Sequence, residues 1–241
     1  MKARLTRVNS IRTRRTRVRA RRESGERVET RKGAHADRER LSAMNAFILT
    51  GGKSARMQRE KALLSLGGRT FVDIAAGLTA PLFGKVFTVG KPFDNARLAG
   101  NVEDSVKGAG PLAGIHAALS ANDKEWGFFI GIDYPLVDPS FVLGLARFVP
   151  ENGECDGVVP IAPDGLHPLL AFYSRRCIPA AARCLDEGNN QVICMYRVAK
   201  IRYVRAAEEI PGLRPGEIDR IFSNVNDLAD YERVKNIYNK G

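Results

Sequence analysis

The segment Trp126–Ile132 constrains the fold more than any other. Trp126, Phe128, Phe129, Ile130 and Ile132 leave it no polar face. A strand with one wet face alternates apolar and polar residues, whereas a run that is apolar on both faces belongs to a strand covered by helices on both sides. Asn45–Thr50 repeats the pattern with Phe47, Ile48 and Leu49. Further strands are predicted at Lys85–Val89, Asn101–Val106, Gly157–Ile161, His167–Tyr173 and Ile201–Val204. Helical spacing separates them: Phe71, Ile74, Ala75 and Leu78, then Leu112, Ile115 and Leu119. Asp138 and Pro139 cap and open a helix carrying Phe141, Leu145 and Phe148. A helix from Arg175 to Glu187 stops at Gly188. The last starts at Asp227 and carries Tyr231, Val234 and Ile237. This alternation predicts an α/β fold, doubly wound about a mostly parallel sheet. Such sheets bind ligands beyond the carboxyl ends of their strands, so the loops there are where chemistry is sought.

Charge divides the chain in two. The net charge is +11, but residues 1–43 hold 15 Lys+Arg against 5 Asp+Glu, a net of +10. Residues 44–241 are therefore near neutral at +1. The basic stretch has almost no large apolar residues and is expected to be a disordered tail, because it cannot bury enough surface to offset its ordering entropy. Its composition fits an RNA-binding arm or a targeting presequence. The preferred reading is that it lies outside the functional protein, since Met44 stands just before the first strand. Residues 44–241 are read as one domain, and its balanced charge argues against nucleic acid as its ligand. No apolar run is long enough to span a bilayer and the N-terminus has no secretory apolar region, so the expected location is cytoplasmic. Cys155, Cys177, Cys184 and Cys194 form no CxxC pair, which argues against zinc; reduced structural thiols are expected. Monomer and small homo-oligomer both stay open.

Four loops are candidates. Thr50-Gly51-Gly52-Lys53-Ser54-Ala55-Arg56-Met57 follows the first strand. Its glycines let backbone N–H groups approach an anion, and Lys53, Arg56 and Lys61 add charge suited to a triphosphate. It is neither a Walker A loop nor a dinucleotide fingerprint, because Phe47, Lys53 and Arg56 stand where those motifs need glycine. Asp133 ends the apolar strand, where a carboxylate points into the ligand crevice and offers the hard oxygen that magnesium requires. Its plain alternative is a turn residue before Tyr134-Pro135. Glu103-Asp104-Ser105 precedes the helix entry Gly110-Pro111, and Asp104 can accept hydrogen bonds from a base or ribose. Asn224 and Asn226 alternate in an extended segment before Asp227, and an amide oxygen can ligate magnesium. Their plain alternative is a pair of turn asparagines.

Taken in order, these stretches resemble the molybdenum cofactor guanylyltransferase family. The resemblance rests on Leu49 to Met57, Lys61-Ala62-Leu63-Leu64, Glu103-Asp104-Ser105, Gly110 to Gly114, Asp133-Tyr134-Pro135, His167-Pro168-Leu169 and Asn224-Val225-Asn226, and it spans residues 44–241. It implies a Rossmann-like sheet of the nucleotide-diphospho-sugar transferase type. It also implies GTP with Mg2+, transfer of GMP to the terminal phosphate of molybdopterin or the molybdenum cofactor, and release of pyrophosphate. Carried over, Leu49, Thr50, Gly51 and Gly52 line the nucleotide, Lys61 and Arg56 meet the phosphates and Asp104 the nucleoside. Asp133 and Asn226 hold the metal, with Asn224 beside them. No chemical role attaches to His167. Three positions depart from the family: Thr50 stands where Ala is usual, Gln58 where Gly is usual and Glu60 where Asp is usual. A cytidylyltransferase or a sugar-phosphate nucleotidyltransferase of the same fold, and a non-catalytic nucleotide-binding adaptor, are the alternatives.

Overall fold

The computed structural model describes residues 36–50, 61–104 and 110–240. The glycine loop, with Gly51, Gly52, Arg56 and Gln58, and most of the basic tail lie outside the described residues. The chain divides into two compact units, Met1–Glu39 and Arg40–Gly241. Of the first, residues 36–39 are helical. The second opens in helical backbone, and its Leu41 is fully buried.

The elements of the second unit run β1 (Asn45–Leu49), β2 (Ser65–Leu66), β3 (Arg69–Thr70), α1 (Phe71–Thr79), β4 (Lys85–Val89), β5 (Gly100–Val102), α2 (Gly110–Ala121), β6 (Trp126–Gly131), α3 (Pro139–Ala146), β7 (Gly157–Ala162), β8 (Gly165–Leu166), β9 (Leu170–Ser174), α4 (Ile178–Asp186), β10 (Ile201–Arg205), α5 (Ala206–Glu209), α6 (Pro215–Ile221) and α7 (Leu228–Lys240). The main sheet is ordered β10-β7-β9-β6-β1-β4-β5, with β8 paired to β7. β6, β1, β4 and β5 are mutually parallel, as are β10 and β7. β9 is antiparallel to both its neighbours and joins the two parallel groups.

The two-sided burial expected of Trp126–Ile132 is realised. On one face Ala46, Ile48, Phe128 and Ile130 pack with Val72 and Ala76 of α1, Phe141 and Leu145 of α3, and Ile221 of α6. On the other, Phe47, Leu49 and Phe129 pack with Leu112, Ile115 and Leu119 of α2 and with Ala181 of α4. Successive residues of β1 and β6 thus alternate between two cores, as the period of a strand dictates.

Local chemistry sets the ends. Asp138 accepts from the Phe141 amide at 3.0 Å with Pro139 in the first turn, and Asp227 accepts from the Asp230 amide at 2.9 Å. Thr70 and Asp73 form a reciprocal capping box on α1. Of the strand predicted over 101–106, β5 covers Asn101 and Val102, paired with β4; Glu103 and Asp104 are outside the sheet, and residues 105–106 lie outside the described residues. β9 begins at Leu170 rather than His167. Pro168 has no N–H to donate, and the turn is closed by the Leu170 amide on the His167 carbonyl at 3.1 Å.

The cysteines divide. Cys155 and Cys177 are free and buried, as expected. Cys184 and Cys194 are joined in a disulfide, which corrects the expectation of four reduced thiols. Cys184 sits on the buried side of α4, and the 3-10 helix Val192–Arg197 folds back along that side after the turn at Gly188. The two Cα atoms are 6.1 Å apart, a spacing a disulfide spans. The two lie 10 positions apart in sequence, and the residues between carry no sign of this approach.

Candidate active site

The described candidates collect at the carboxyl ends of β1, β5 and β6. Leu49 closes β1, and Thr50 follows it. The Thr50 hydroxyl lies 2.7 Å from the Val89 carbonyl and 3.0 Å from that of Lys91, and it accepts from the Lys91 amide at 3.0 Å. The side chain therefore clasps β1 to the end of β4. Leu49, Val89 and Asp104 converge on Gly114 of α2. A Cβ built there would stand 3.1 Å from Asp104 Oδ1, 3.1 Å from Val89 Cγ1 and 3.5 Å from Leu49 Cδ2. Burial raises the Asp104 carboxyl above its ordinary range. A carboxylate half-withdrawn from water beside a glycine can accept from a donor edge such as that of a base or ribose.

Asp133 follows β6. Burial pushes its carboxyl up to about 6, opposed by its own backbone amide and by the positive charge of Lys61. Lys61, just before Ala62 packs into the first core, therefore faces Asp133 electrostatically. The Asp133 carbonyl accepts from the Val225 amide at 2.9 Å, which brings the asparagine segment to the same place. Asn226 Nδ2 donates to Asn224 Oδ1 at 3.2 Å, and the Asn226 amide donates to Asp230 Oδ2 at 2.9 Å. Asp133, Lys61, Asn224 and Asn226, scattered over 166 positions of sequence, thus share one neighbourhood. Among the described residues no group of three or more His, Cys, Asp or Glu side chains comes together.

Behind the asparagines lies a set of polar residues that the sequence reading left without a role. The Tyr134 hydroxyl is 3.0 Å from His167 Nδ1, and His167 Nε2 is 2.9 Å from Asp164 Oδ1. Asp164 is presented by the two-residue turn between β7 and β8. His167 is buried, with its ring 4.3 Å from that of Phe222, and desolvation lowers its pKa below the ordinary histidine value while Asp164 opposes the shift. A cavity of about 190 Å³ opens alongside, lined by Asp164, Ile218, Phe222 and Asn224. Asp164-x-x-His167, a turn aspartate three residues before a histidine, was the signal available in the sequence.

The MobA-like NTP transferase domain matches residues 46–201 of this chain. A relative from Pelotomaculum thermopropionicum, named "Probable molybdenum cofactor guanylyltransferase", is 35% identical over 191 residues, covering 78% of this chain and 90% of the relative. The molybdenum cofactor guanylyltransferase of Desulfosudis oleivorans is 28% identical, covering 81% of this chain and 96% of its own length. The crystal structure of molybdopterin-guanine dinucleotide biosynthesis protein A from Archaeoglobus fulgidus superposes with a TM-score of 0.67 at 25% identity, over 82% of this chain and all of that one. A 2-C-methyl-D-erythritol 4-phosphate cytidylyltransferase from Thermus thermophilus shares the fold, with a TM-score of 0.55 at 13% identity over 81% of this chain and 99% of that one. Among the described residues no helix is long and apolar enough to cross a membrane.

Proposed function

Because the chain belongs to the MobA-like NTP transferase family, we propose that it transfers GMP from GTP to the terminal phosphate of molybdopterin or the molybdenum cofactor. The products are the guanine dinucleotide and pyrophosphate. The observation that carries this reading is the meeting of Asp133, Lys61 and the Asn224–Asn226 segment beyond β6. That is the crevice where a doubly wound sheet holds its ligand.

An acceptor phosphate oxygen attacks the α-phosphorus of GTP; one P–O bond forms there and the bond to the β-phosphate oxygen breaks. An ionised phosphate is already a nucleophile, so no general base is needed, and rate comes from positioning and charge. Leu49, the Thr50 backbone and Asp104 form the nucleoside side. Lys61 offsets phosphate charge, and Arg56, Gly51 and Gly52 are assigned by sequence to the same phosphates. Asp133 and Asn226 suit Mg2+: a buried carboxylate whose burial opposes ionisation gains from a cation, and few protein oxygens are what a metal retaining water and phosphate ligands takes. Bound there, the ion would supply Lewis-acid stabilisation of charge at the α-phosphate. The cavity beside Asn224 offers room on the acceptor side. A cytoplasmic location suits a GTP-consuming enzyme. Residues 1–43 take no part in this chemistry.

The experiment is pyrophosphate release from the full chain with Mg2+ and molybdopterin, with GTP, CTP or ATP in parallel. GTP-selective, acceptor-dependent release is expected. Release with CTP alone would make the chain a cytidylyltransferase of the same fold, and GTP binding without release would make it a nucleotide-binding adaptor.

A further inference from the structure

We propose that Asp164 recognises the pterin ring of the acceptor: its carboxylate takes the two adjacent N–H donors of a 2-amino-4-oxopyrimidine edge in the cavity beside Asn224. The proposal rests on the acceptor reading above and adds the residue that selects the ring.

Asp164 is both open and anchored. It stands on a two-residue turn with its side chain 60% exposed, so the carboxylate can meet a ligand. One of its oxygens is nonetheless fixed, because His167 Nε2 lies 2.9 Å from Oδ1. An ionised carboxylate can only accept, so that nitrogen carries a proton and donates it. The Tyr134 hydroxyl lies 3.0 Å from the other ring nitrogen, and His167 itself is buried against Phe222. A carboxylate tied to a buried ring has little rotamer freedom left to lose on binding, which is what a contact that discriminates between ligands requires.

The charge of the cavity selects the kind of edge it takes. Asp164 and Asp219 share it with Arg233, whose guanidinium is already bound to Asp230 at 3.0 Å. Carboxylates therefore prevail, so the cavity disfavours a phosphate and suits a donor edge. Ile218 and Phe222 give it an apolar wall against which a flat ring can lie. A pterin carries N3–H beside its 2-amino group, two parallel donors that match the two oxygens of one carboxylate. Guanine carries the same edge, but position favours the pterin. The cavity is lined by Asn224, next to Val225, whose amide bonds the Asp133 carbonyl, whereas the base of GTP is assigned to Leu49 and Asp104 beside Gly114. The acceptor thus meets the positive charge of Lys61 at its phosphate end and negative charge at its ring.

Asp164→Asn in the full 241-residue chain tests this. The substitution keeps the shape and an oxygen for His167, and asparagine suits a turn, so the variant should fold. Saturation-transfer NMR measures affinity for free pterin and for lumazine, in which a carbonyl replaces the 2-amino group. The natural chain should bind pterin about tenfold more tightly than lumazine, and Asp164→Asn should bind the two within about twofold of each other, as expected when a charge-assisted hydrogen bond is lost. Equal binding of the two by the natural chain, no binding of pterin, or an unchanged preference in the variant overturns the proposal. This readout needs no turnover. In pyrophosphate release, the variant should raise the KM for molybdopterin about tenfold and leave that for GTP within about twofold. A rise for GTP instead would put guanine at Asp164 and overturn the proposal. A chain that prefers pterin yet releases no pyrophosphate with any nucleotide would sink the GMP-transfer reading and leave the ring site standing. Acceptor-dependent release without a preference for pterin would sink the ring site alone.

Discussion

The carboxylate of Asp133 folds back over the α-carbon of Gly131: a Cβ built on Gly131 would stand 2.1 Å from Asp133 Oδ1. No side chain can share that space, so Gly131→Ala must swing the carboxylate away from its position. Since β6 itself is well packed, the variant should fold. We expect pyrophosphate release to fall by about a hundredfold, as misplacement of a positioned group by an ångström does, with a thermal midpoint only a few degrees lower. Full activity in a folded Gly131→Ala protein would show that the carboxylate is not needed where it lies.

Asp133→Asn should abolish turnover and stabilise the metal-free protein at alkaline pH. The folded pKa, about 6, lies above the ordinary range of an aspartate, so the folded state binds the proton more tightly than the unfolded state. Ionisation therefore costs stability as pH rises from about 4 to about 6, and the full penalty, on the order of 3 kcal/mol, applies above that. Urea unfolding of Asp133→Asn and the natural chain without metal should coincide near pH 4 and separate at pH 8, with the variant the more stable. Equal curves at pH 8 would contradict the burial of this charge.

Reducing the Cys184–Cys194 bond should destabilise the domain by about 2–3 kcal/mol, the entropy that closing so short a loop removes from the unfolded chain. The urea midpoint of the natural chain should drop in dithiothreitol, and that of Cys194→Ser should start low and not respond. A midpoint indifferent to reductant in both would mean the bond does not contribute.

Where the chain is cut at its N-terminus should matter. Leu41 is fully buried and Arg40 donates to the Val149 carbonyl, so both belong to the packed unit. A chain starting at Met44 loses them and should be about 2–3 kcal/mol less stable, close to the value of one buried leucine. A chain starting at Ala36 keeps them and should match the full protein in urea unfolding. Equal stability of the two truncated chains would show that Leu41 contributes nothing.

The two-sided core was legible because β1 and β6 carry apolar residues at every position that matters, and Asp133 was legible because it ends such a strand. Asp104 and the Asn224–Asn226 pair were visible only through their order along the chain, since turn asparagines and loop aspartates are common. The reach of Tyr134 through His167 to Asp164 was not legible. It depends on the Pro163-Asp164 corner turning β8 back onto β7, an event with no local period. The Cys184–Cys194 pairing was hidden likewise, since it arises from how a 3-10 helix docks on α4 rather than from spacing.

The bond between the Asp133 carbonyl and the Val225 amide has a consequence for how such a protein can change. The chain leaves the end of β6 at residue 134 and comes back to the same point at 224; the stretch between is zipped to β6 through β9 and packs on the two cores through α3, α6 and α4, so its freedom to vary lies in its exposed loops. Leu49, Asp104 and Lys61 lie wholly outside it. On the proposed reading, changes confined to the exposed loops of that stretch reshape what the acceptor meets while leaving the residues assigned to the triphosphate in place. On that reading, one nucleotide-handling half is fitted to its acceptor by rewriting the loops of a single stretch of chain.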